Sequence, residues 1–165
     1  MPFTLTDLPL LAGQIGICPM PGRTGQYQAD LAQIIRWSPD LVLTMTPLDE
    51  LAAKGAVGLP ADLARHGIAW RHLPVADFGS PDAQTAAAWP KASDQARAIL
   101  GRGGRVLAHC MGGCGRSGMA LLRLMVETGE DPALALARLR AARPCAVETR
   151  EQQRWASAVA TSDRA

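Results

Sequence analysis

A short apolar run that leads into a glycine-rich turn is the feature that most constrains the fold of this 165-residue chain. Residues 105–109 (RVLAH) predict a buried strand, and residues 117–128 predict a helix that is apolar on most sides. The segment between them, residues 110–116 (CMGGCGR), contains three glycines that permit a tight backbone turn. A strand that passes through such a turn into a helix is typical of α/β domains, so we predict that fold class.

Strands and helices alternate along the rest of the chain. Further strands are predicted at residues 14–18, 41–45 and 68–75. Further helices are predicted at residues 27–37, 48–54, 60–66, 81–100, 133–143 and 149–160, and Pro90 is expected to break or restart the fourth of them. The length and a hydrophobic content of 48% fit one domain over residues 1–165.

Composition and motif spacing argue against several classes of protein. A formal net charge of +2 without a cluster of basic residues is not typical of nucleic-acid binding. No stretch reaches the roughly 18 apolar residues of a membrane span, and no signal-peptide pattern is present, so we expect a cytoplasmic location with reduced thiols. The four cysteines and three histidines lack zinc-ligand spacing. We therefore expect no metal, no cofactor, no nucleic-acid partner and no membrane partner.

The turn at residues 110–116 has the composition of an anion-binding site. Backbone N–H groups and the positive end of the following helix dipole would meet in one small concavity. Cys110 at its mouth is expected to be a thiolate and therefore a nucleophile. Arg116 at the other end can bind two phosphate oxygens with its planar guanidinium group. The alternative interpretation is a simple scaffold joint with inert, packed cysteines.

This pattern resembles a known enzyme family. Residues 109–117 (HCMGGCGRS) match the signature of the cysteine-dependent tyrosine and dual-specificity protein phosphatases, in which His-Cys, five residues and Arg-Ser follow one another. Residues 72–81 (HLPVADFGSP) are similar to the general-acid loop of the small dual-specificity members. Both loops are most similar to the kinase-associated phosphatase branch, and the resemblance covers about residues 13–157.

The resemblance implies both a fold and a reaction. The fold would be a central, mostly parallel sheet flanked by helices. The reaction would be hydrolysis of phosphotyrosine in a phosphorylated protein, through a cysteinyl-phosphate intermediate and without a cofactor. A shallow cleft would admit phosphoserine and phosphothreonine as well. The sequence does not show which oligomeric state the protein has.

The resemblance also assigns roles to single residues. Asp77 would be the general acid, because the leaving oxygen needs a proton that a positioned carboxylic acid can donate. Asp82, a few residues later, is better explained as a helix-start residue. The phosphate bound at Cys110 would be surrounded by residues Met111, Gly112, Gly113, Cys114, Gly115 and Arg116.

Other polar residues would support the reaction. Ser117 matches the family hydroxyl that contacts the sulfur and eases breakdown of the intermediate, with capping of the next helix as its alternative role. Gln152, or its neighbour Gln153, would place the attacking water, and a solvated surface position is the alternative. His72 and His109 lie at strand ends and are expected to bind loop backbone, and His109 would thereby help to keep the nucleophile ionised.

The remaining cysteines allow two interpretations. Cys114 adds a second thiol to the turn, where it would either trap an oxidised Cys110 as a disulfide or act as a small packing residue. Cys18 and Cys145 are expected to be core cysteines.

Two other functions use similar residues. A catalytically weak phospho-residue binding module would be expected to have lost Cys110, Arg116 or Asp77, and all three are present. A sulfurtransferase or an arsenate reductase uses a similar cysteine loop, but low-mass enzymes of this kind usually carry the loop near the N-terminus with the acid after it. A phosphoinositide preference is disfavoured because residues 111–114 include no lysine.

Overall fold

The computed structural model describes residues 2–159, which form a five-stranded sheet with helices on both faces. The strands are β1 (Thr6–Leu10), β2 (Gly13–Cys18), β3 (Leu41–Thr44), β4 (Ala69–His72) and β5 (Arg105–His109). The helices are α1 (Tyr27–Trp37), α2 (Leu48–Ala53), α3 (Leu59–Arg65), α4 (Ala83–Gly101), α5 (Gly115–Glu127), α6 (Pro132–Ala142) and α7 (Arg150–Ser157). The strand order is β1-β2-β5-β3-β4, in which β1 is antiparallel to β2 and the other neighbours are parallel. The prediction of an α/β domain with a mostly parallel sheet is confirmed.

Apolar side chains cover both faces of the central strand β5. Val106 and Ala108 pack into the cluster formed with α4, α5, α6 and α7, whereas Leu107 packs into the cluster formed with α1, α2 and α3. A strand that is buried on both faces needs apolar residues at successive positions, which explains the continuous apolar run in the sequence. Helix α5, which follows this strand, is buried on nearly all sides, as its composition predicts.

The antiparallel edge strand β1 is not predicted by the sequence patterns. Its Leu8 and Leu10 are buried while Asp7 and Pro9 are exposed, so the alternation typical of a strand is present but short. Pro9 argues against a strand in the sequence, yet an edge strand tolerates proline because one side of its ladder has no partner.

The predicted break at Pro90 is wrong, because α4 continues through this residue. Trp89 and Ala92 on either side of it are buried in the same core, and this packing offsets the loss of one backbone hydrogen bond. Helix α7 ends at Ser157, earlier than predicted, and the predicted end at residue 160 lies outside the described residues.

The sheet brings several loops to the edge where its parallel strands end. The chain after β4 continues beside β3, since the N–H groups of Leu73 and Val75 donate to the carbonyls of Thr44 (2.9 Å) and Met45 (3.1 Å). The strand predicted at residues 68–75 is therefore longer than β4, which ends at His72, but the residues after β4 still bond to the chain at the end of β3. Loops at the carboxyl ends of neighbouring parallel strands commonly form binding sites. No helix within residues 2–159 has the length and apolarity that crossing a membrane requires.

Candidate active site

Residues 110–116, which we call the 110–116 loop, run from the end of β5 into the first turn of α5 and are held by neighbours on two sides. The N–H of Met20 donates to the carbonyl of Met111 (3.1 Å), and Nε of Arg143 donates to the carbonyl of Gly113 (3.0 Å). Gly113 has a φ of 70°, and a Cβ at this position would lie 2.5 Å from the backbone of Cys18. Only glycine fits this close approach in a left-handed conformation, so the adjacent segment at Cys18 fixes the shape of the loop.

The backbone donors of this loop are free. Within the described part of the chain, the N–H groups of residues 111–116 donate no hydrogen bond, although the loop is buried or half-buried throughout. Buried donors without a partner are rare, and a run of them at a helix N-terminus is a site for an anion. The predicted anion-binding site at residues 110–116 therefore has the donors that such a site requires.

Cys110 lies at the start of the loop, with 3% of its surface exposed. Its Sγ atom is 3.2 Å from the hydroxyl oxygen of Ser117, a residue in the first turn of α5. The structure thus brings together Cys110 and Ser117, the two side chains that the family resemblance places in contact. The alternative role of Ser117 as the helix cap is wrong, because Cys114 occupies the N-cap position of α5.

Arg116 is 1% exposed, and its guanidinium group has defined partners. Nη1 and Nη2 donate to the two carboxylate oxygens of Glu50 at 2.8 and 2.9 Å, and Nη1 also donates to the carbonyl of Val75 at 2.9 Å. Burial alone would lower the pKa of Arg116, but the hydrogen bonds to Glu50 and the charge of Cys110 raise it above its usual value. The end of the guanidinium group therefore binds Glu50. Among residues 2–159 no acceptor is hydrogen-bonded to the edge formed by Nε–H and the second hydrogen of Nη2, so a ligand can bind there.

Glu50, in the first turn of α2, is a site residue that the sequence analysis missed. The sequence could predict only that Arg116, if buried, would need some acidic partner. The chain has 15 aspartates and glutamates, and nothing in their spacing indicates which of them meets Arg116.

Asp77 lies in the segment that follows β4, which we call the 76–80 loop. Its Oδ1 atom accepts a hydrogen bond from the N–H of Phe78 (3.0 Å) and lies 3.4 Å from Nη2 of Arg116. The Asp77 side chain is 57% exposed, so a bound molecule can reach it. The structure therefore places the predicted acid beside the 110–116 loop. Asp82 caps α4 by accepting from the N–H of Thr85, as its alternative role predicts.

The start of α7 holds the 76–80 loop. The hydroxyl of Thr149 donates to the carbonyl of Phe78 (3.1 Å), and Nε2 of Gln152 donates to the carbonyl of Gly79 (3.2 Å). The Oε1 atom of the same glutamine accepts from the N–H groups of Glu148 (2.9 Å) and Thr149 (3.3 Å). Gln152 is fully buried, so the solvated position considered for it is wrong, and its amide is committed to the backbone of two segments. Its role in placing water stays a prediction.

The two strand-end histidines bind loop and strand groups. His109 contacts Oγ1 of Thr44 through Nε2 (2.7 Å) and its neighbour's carbonyl through Nδ1 (3.3 Å), and Nε2 of His72 lies 2.7 Å from the carbonyl of Thr46. Burial lowers the pKa of His109 to about 4. This histidine is therefore neutral at physiological pH, and it can help Cys110 only by shaping the loop rather than by charge.

The cysteines are paired differently from the expectation. Cys114 forms a disulfide with Cys145, so it is not free to trap an oxidised Cys110, and Cys145 is an exposed residue rather than a core cysteine. The expectation of reduced thiols is wrong for these two cysteines. The sequence could not predict their pairing, because they are 31 residues apart and only the fold brings them together. Cys18 is buried and free, as expected, and burial raises the pKa of its thiol.

Comparisons with known proteins identify a family for this chain and solved structures with the same fold. The family model described as "Tc-R-P: Polymorphic toxin system, DSP-PTPase phosphatase" matches residues 21–130. No curated protein sequence matches the chain.

Several solved structures share the fold. The structure of kinase associated phosphatase (KAP), with its catalytic-site cysteine substituted by serine, has a TM-score of 0.81 and 23% identity over 94% of this chain and 93% of KAP. Tk-PTP in its active form has a TM-score of 0.67 and 29% identity over 85% of this chain and 86% of its own. A putative protein tyrosine phosphatase from Leishmania major has a TM-score of 0.70 and 18% identity over 97% of this chain and 99% of its own.

Proposed function

The chain belongs to the DSP-PTPase phosphatase family of polymorphic toxin systems, and we propose that it hydrolyses phosphomonoesters on proteins through a phosphocysteine at Cys110. The proposed substrates are phosphotyrosine and, in a shallow cleft, phosphoserine and phosphothreonine. The observation that carries the proposal is the meeting of three groups at one site, since the loop that begins at Cys110 ends at Arg116, and Asp77 lies 3.4 Å from the Arg116 guanidinium group.

In the first proposed step, the Cys110 thiolate attacks phosphorus and the ester oxygen leaves. The free N–H groups of residues 111–116 and the open edge of Arg116 bind the non-bridging phosphate oxygens and stabilise their charge in the transition state. Asp77 donates a proton to the leaving oxygen, which its exposed carboxyl group can reach. Glu50 fixes the guanidinium plane, and this reduces the motion that must be lost on binding.

In the second proposed step, water attacks the phosphocysteine and the thiolate leaves. Asp77, now ionised, takes a proton from the water as a general base. The Ser117 hydroxyl, 3.2 Å from Sγ, donates a hydrogen bond to the departing thiolate and so favours its release. Gln152 supports this step as a positioning residue, because its amide holds the backbone of the 76–80 loop at Gly79.

Phosphate release from a panel of substrates tests the proposal. The purified chain should hydrolyse an aryl phosphate and a phosphotyrosine peptide, with a lower rate on phosphoinositide vesicles. Binding of the phosphotyrosine peptide without release of phosphate would support the phospho-residue binding module instead. Reduction of arsenate or sulfur transfer from thiosulfate, without phosphate release, would support the alternative enzymes.

The Asp77→Asn substitution should affect substrates according to their leaving groups. We expect kcat/KM, which reports the first step alone, to fall by about 10²-fold or more on alkyl phosphates and much less on activated aryl phosphates, because only the alkoxide needs a proton in that transition state. Steady-state kinetics on the two substrate classes measure this difference. The matched control is Asp82→Asn, which keeps the cap of α4 and should leave both rates near wild type. Equal losses on both classes after Asp77→Asn would place the acid elsewhere.

A further inference from the structure

The disulfide between Cys114 and Cys145 joins the 110–116 loop to residues 143–149, which we call the 143–149 segment. The two Cα atoms are 5.1 Å apart although 31 residues separate them in the chain. Cys145 is exposed and Cys114 is half-buried, so a dissolved dithiol can reach the bond. The proposed mechanism uses neither of these sulfur atoms.

Two hydrogen bonds next to the disulfide, one from a side chain and one from the backbone, hold the same segment on the loop. Nε of Arg143 donates to the carbonyl of Gly113 (3.0 Å), and the N–H of Val147 donates to the carbonyl of Cys114 (3.2 Å). Val147 has a φ of 64°, an unfavourable conformation for a β-branched residue. Such a conformation persists only where the surrounding structure imposes it, and the disulfide is the covalent part of that surrounding structure.

The other end of the 143–149 segment reaches the 76–80 loop. The N–H groups of Glu148 and Thr149 both donate to Oε1 of Gln152, whose Nε2 donates to the carbonyl of Gly79. The hydroxyl of Thr149 donates to the carbonyl of Phe78, the residue next to Asp77 in the chain. A continuous set of contacts therefore runs from the disulfide to the backbone beside Asp77.

We propose that the Cys114–Cys145 disulfide is a redox-sensitive latch that positions the 76–80 loop, and through it Asp77; this inference rests on the proposed function. Reduction transfers two electrons and two protons from a dithiol, which becomes a disulfide, and leaves one thiol on each cysteine. The Cys110 sulfur takes no part in this exchange. The released segment relaxes at Val147, the contacts to the 76–80 loop loosen, and proton donation by Asp77 becomes less efficient. The oxidised chain is thus the more active form.

The test compares wild type with Cys145→Ser, each with and without dithiothreitol, on an aryl phosphate and an alkyl phosphate. Reduction should lower the wild-type kcat/KM on the alkyl phosphate by about tenfold and that on the aryl phosphate much less, because in the first step only the alkyl ester needs the proton from Asp77. Cys145→Ser should match reduced wild type under both conditions. The control Cys18→Ala removes a buried cysteine outside the latch and should keep the full redox response.

Counting the free thiols shows whether the change in rate follows reduction of the Cys114–Cys145 disulfide. Alkylation of the unfolded chain should trap the two free thiols, Cys18 and Cys110, before reduction, and all four cysteines after it. The mass of the Cys110 peptide should show the same unoxidised thiol in both samples. Four thiols before reduction, equal losses on both substrates, or a Cys145→Ser variant that matches oxidised wild type would overturn the latch. An active chain without redox response overturns the latch alone, whereas a chain that is inactive in every form overturns the proposed function as well.

Discussion

Replacing Cys110 by serine is expected to reduce the hydrolysis of every phosphomonoester by on the order of 10⁴-fold or more, because a serine hydroxyl stays protonated where a thiolate attacks. The substitution should leave the fold intact, since the side chain is small and the shape of the loop is set by contacts at Gly113 and Met111. Initial rates on an aryl phosphate measure the loss, and the melting temperature reports the fold.

Phosphopeptide binding separates loss of the nucleophile from loss of the site. The Cys110→Ser variant should still bind a phosphotyrosine peptide, because the loop N–H groups and Arg116 do not depend on the sulfur. The matched control is Cys18→Ser, which removes the other free thiol and should retain turnover. Appreciable hydrolysis by pure Cys110→Ser would show that another group attacks phosphorus.

Replacing Arg116 by lysine is expected to lower kcat/KM by about 10²- to 10³-fold, because one ammonium group cannot replace a planar group with several fixed donors. In the structure this guanidinium group donates hydrogen bonds to Glu50 and to the carbonyl of Val75, and its Nε–H edge is still available to bind phosphate in the loop. A lysine ammonium can satisfy part of this set, so either the carboxylate or the phosphate loses its partner. Steady-state kinetics on an aryl phosphate measure the effect.

The matched control for Arg116→Lys lies on the same helix. Arg123 also binds a glutamate, Glu127, and a backbone carbonyl, that of Trp155, but it lies more than one helical turn from the loop. Arg123→Lys should lower the melting temperature slightly and leave kcat/KM near wild type. Near wild-type kinetics for Arg116→Lys itself would mean that this arginine has only a structural role.

Local patterns predicted the elements that lead to the site. The helix at Tyr27–Trp37 and the strand at Arg105–His109 have the predicted bounds, because hydrophobic periodicity and bounding turns act over a few residues. The glycines and Cys110 lie in one continuous segment, so the loop could also be interpreted without a structure. The role of Asp77 as the acid came from the family resemblance, whereas its position 3.4 Å from Arg116 is seen only in the structure.

Pairings between distant segments could not be predicted. Glu50 meets Arg116 across 66 residues, and Cys114 meets Cys145 across 31 residues. Each pairing depends on how the loops fold over the edge of the sheet, which periodicity does not encode. Pro90 illustrates the opposite problem, because a strong local signal for a helix break was overridden by packing of α4 in the core.

Direct detection of phosphocysteine tests the central claim. The Asp77→Asn variant should accumulate the intermediate, because it lacks the carboxylate that activates water in the second step. Acid quenching during turnover of an aryl phosphate, followed by mass spectrometry of the loop peptide, should find one phosphoryl group on Cys110 and none in the Cys110→Ser protein. A phosphoryl group on Ser117 or another residue, or continued turnover with no phosphorylated enzyme, would contradict the account.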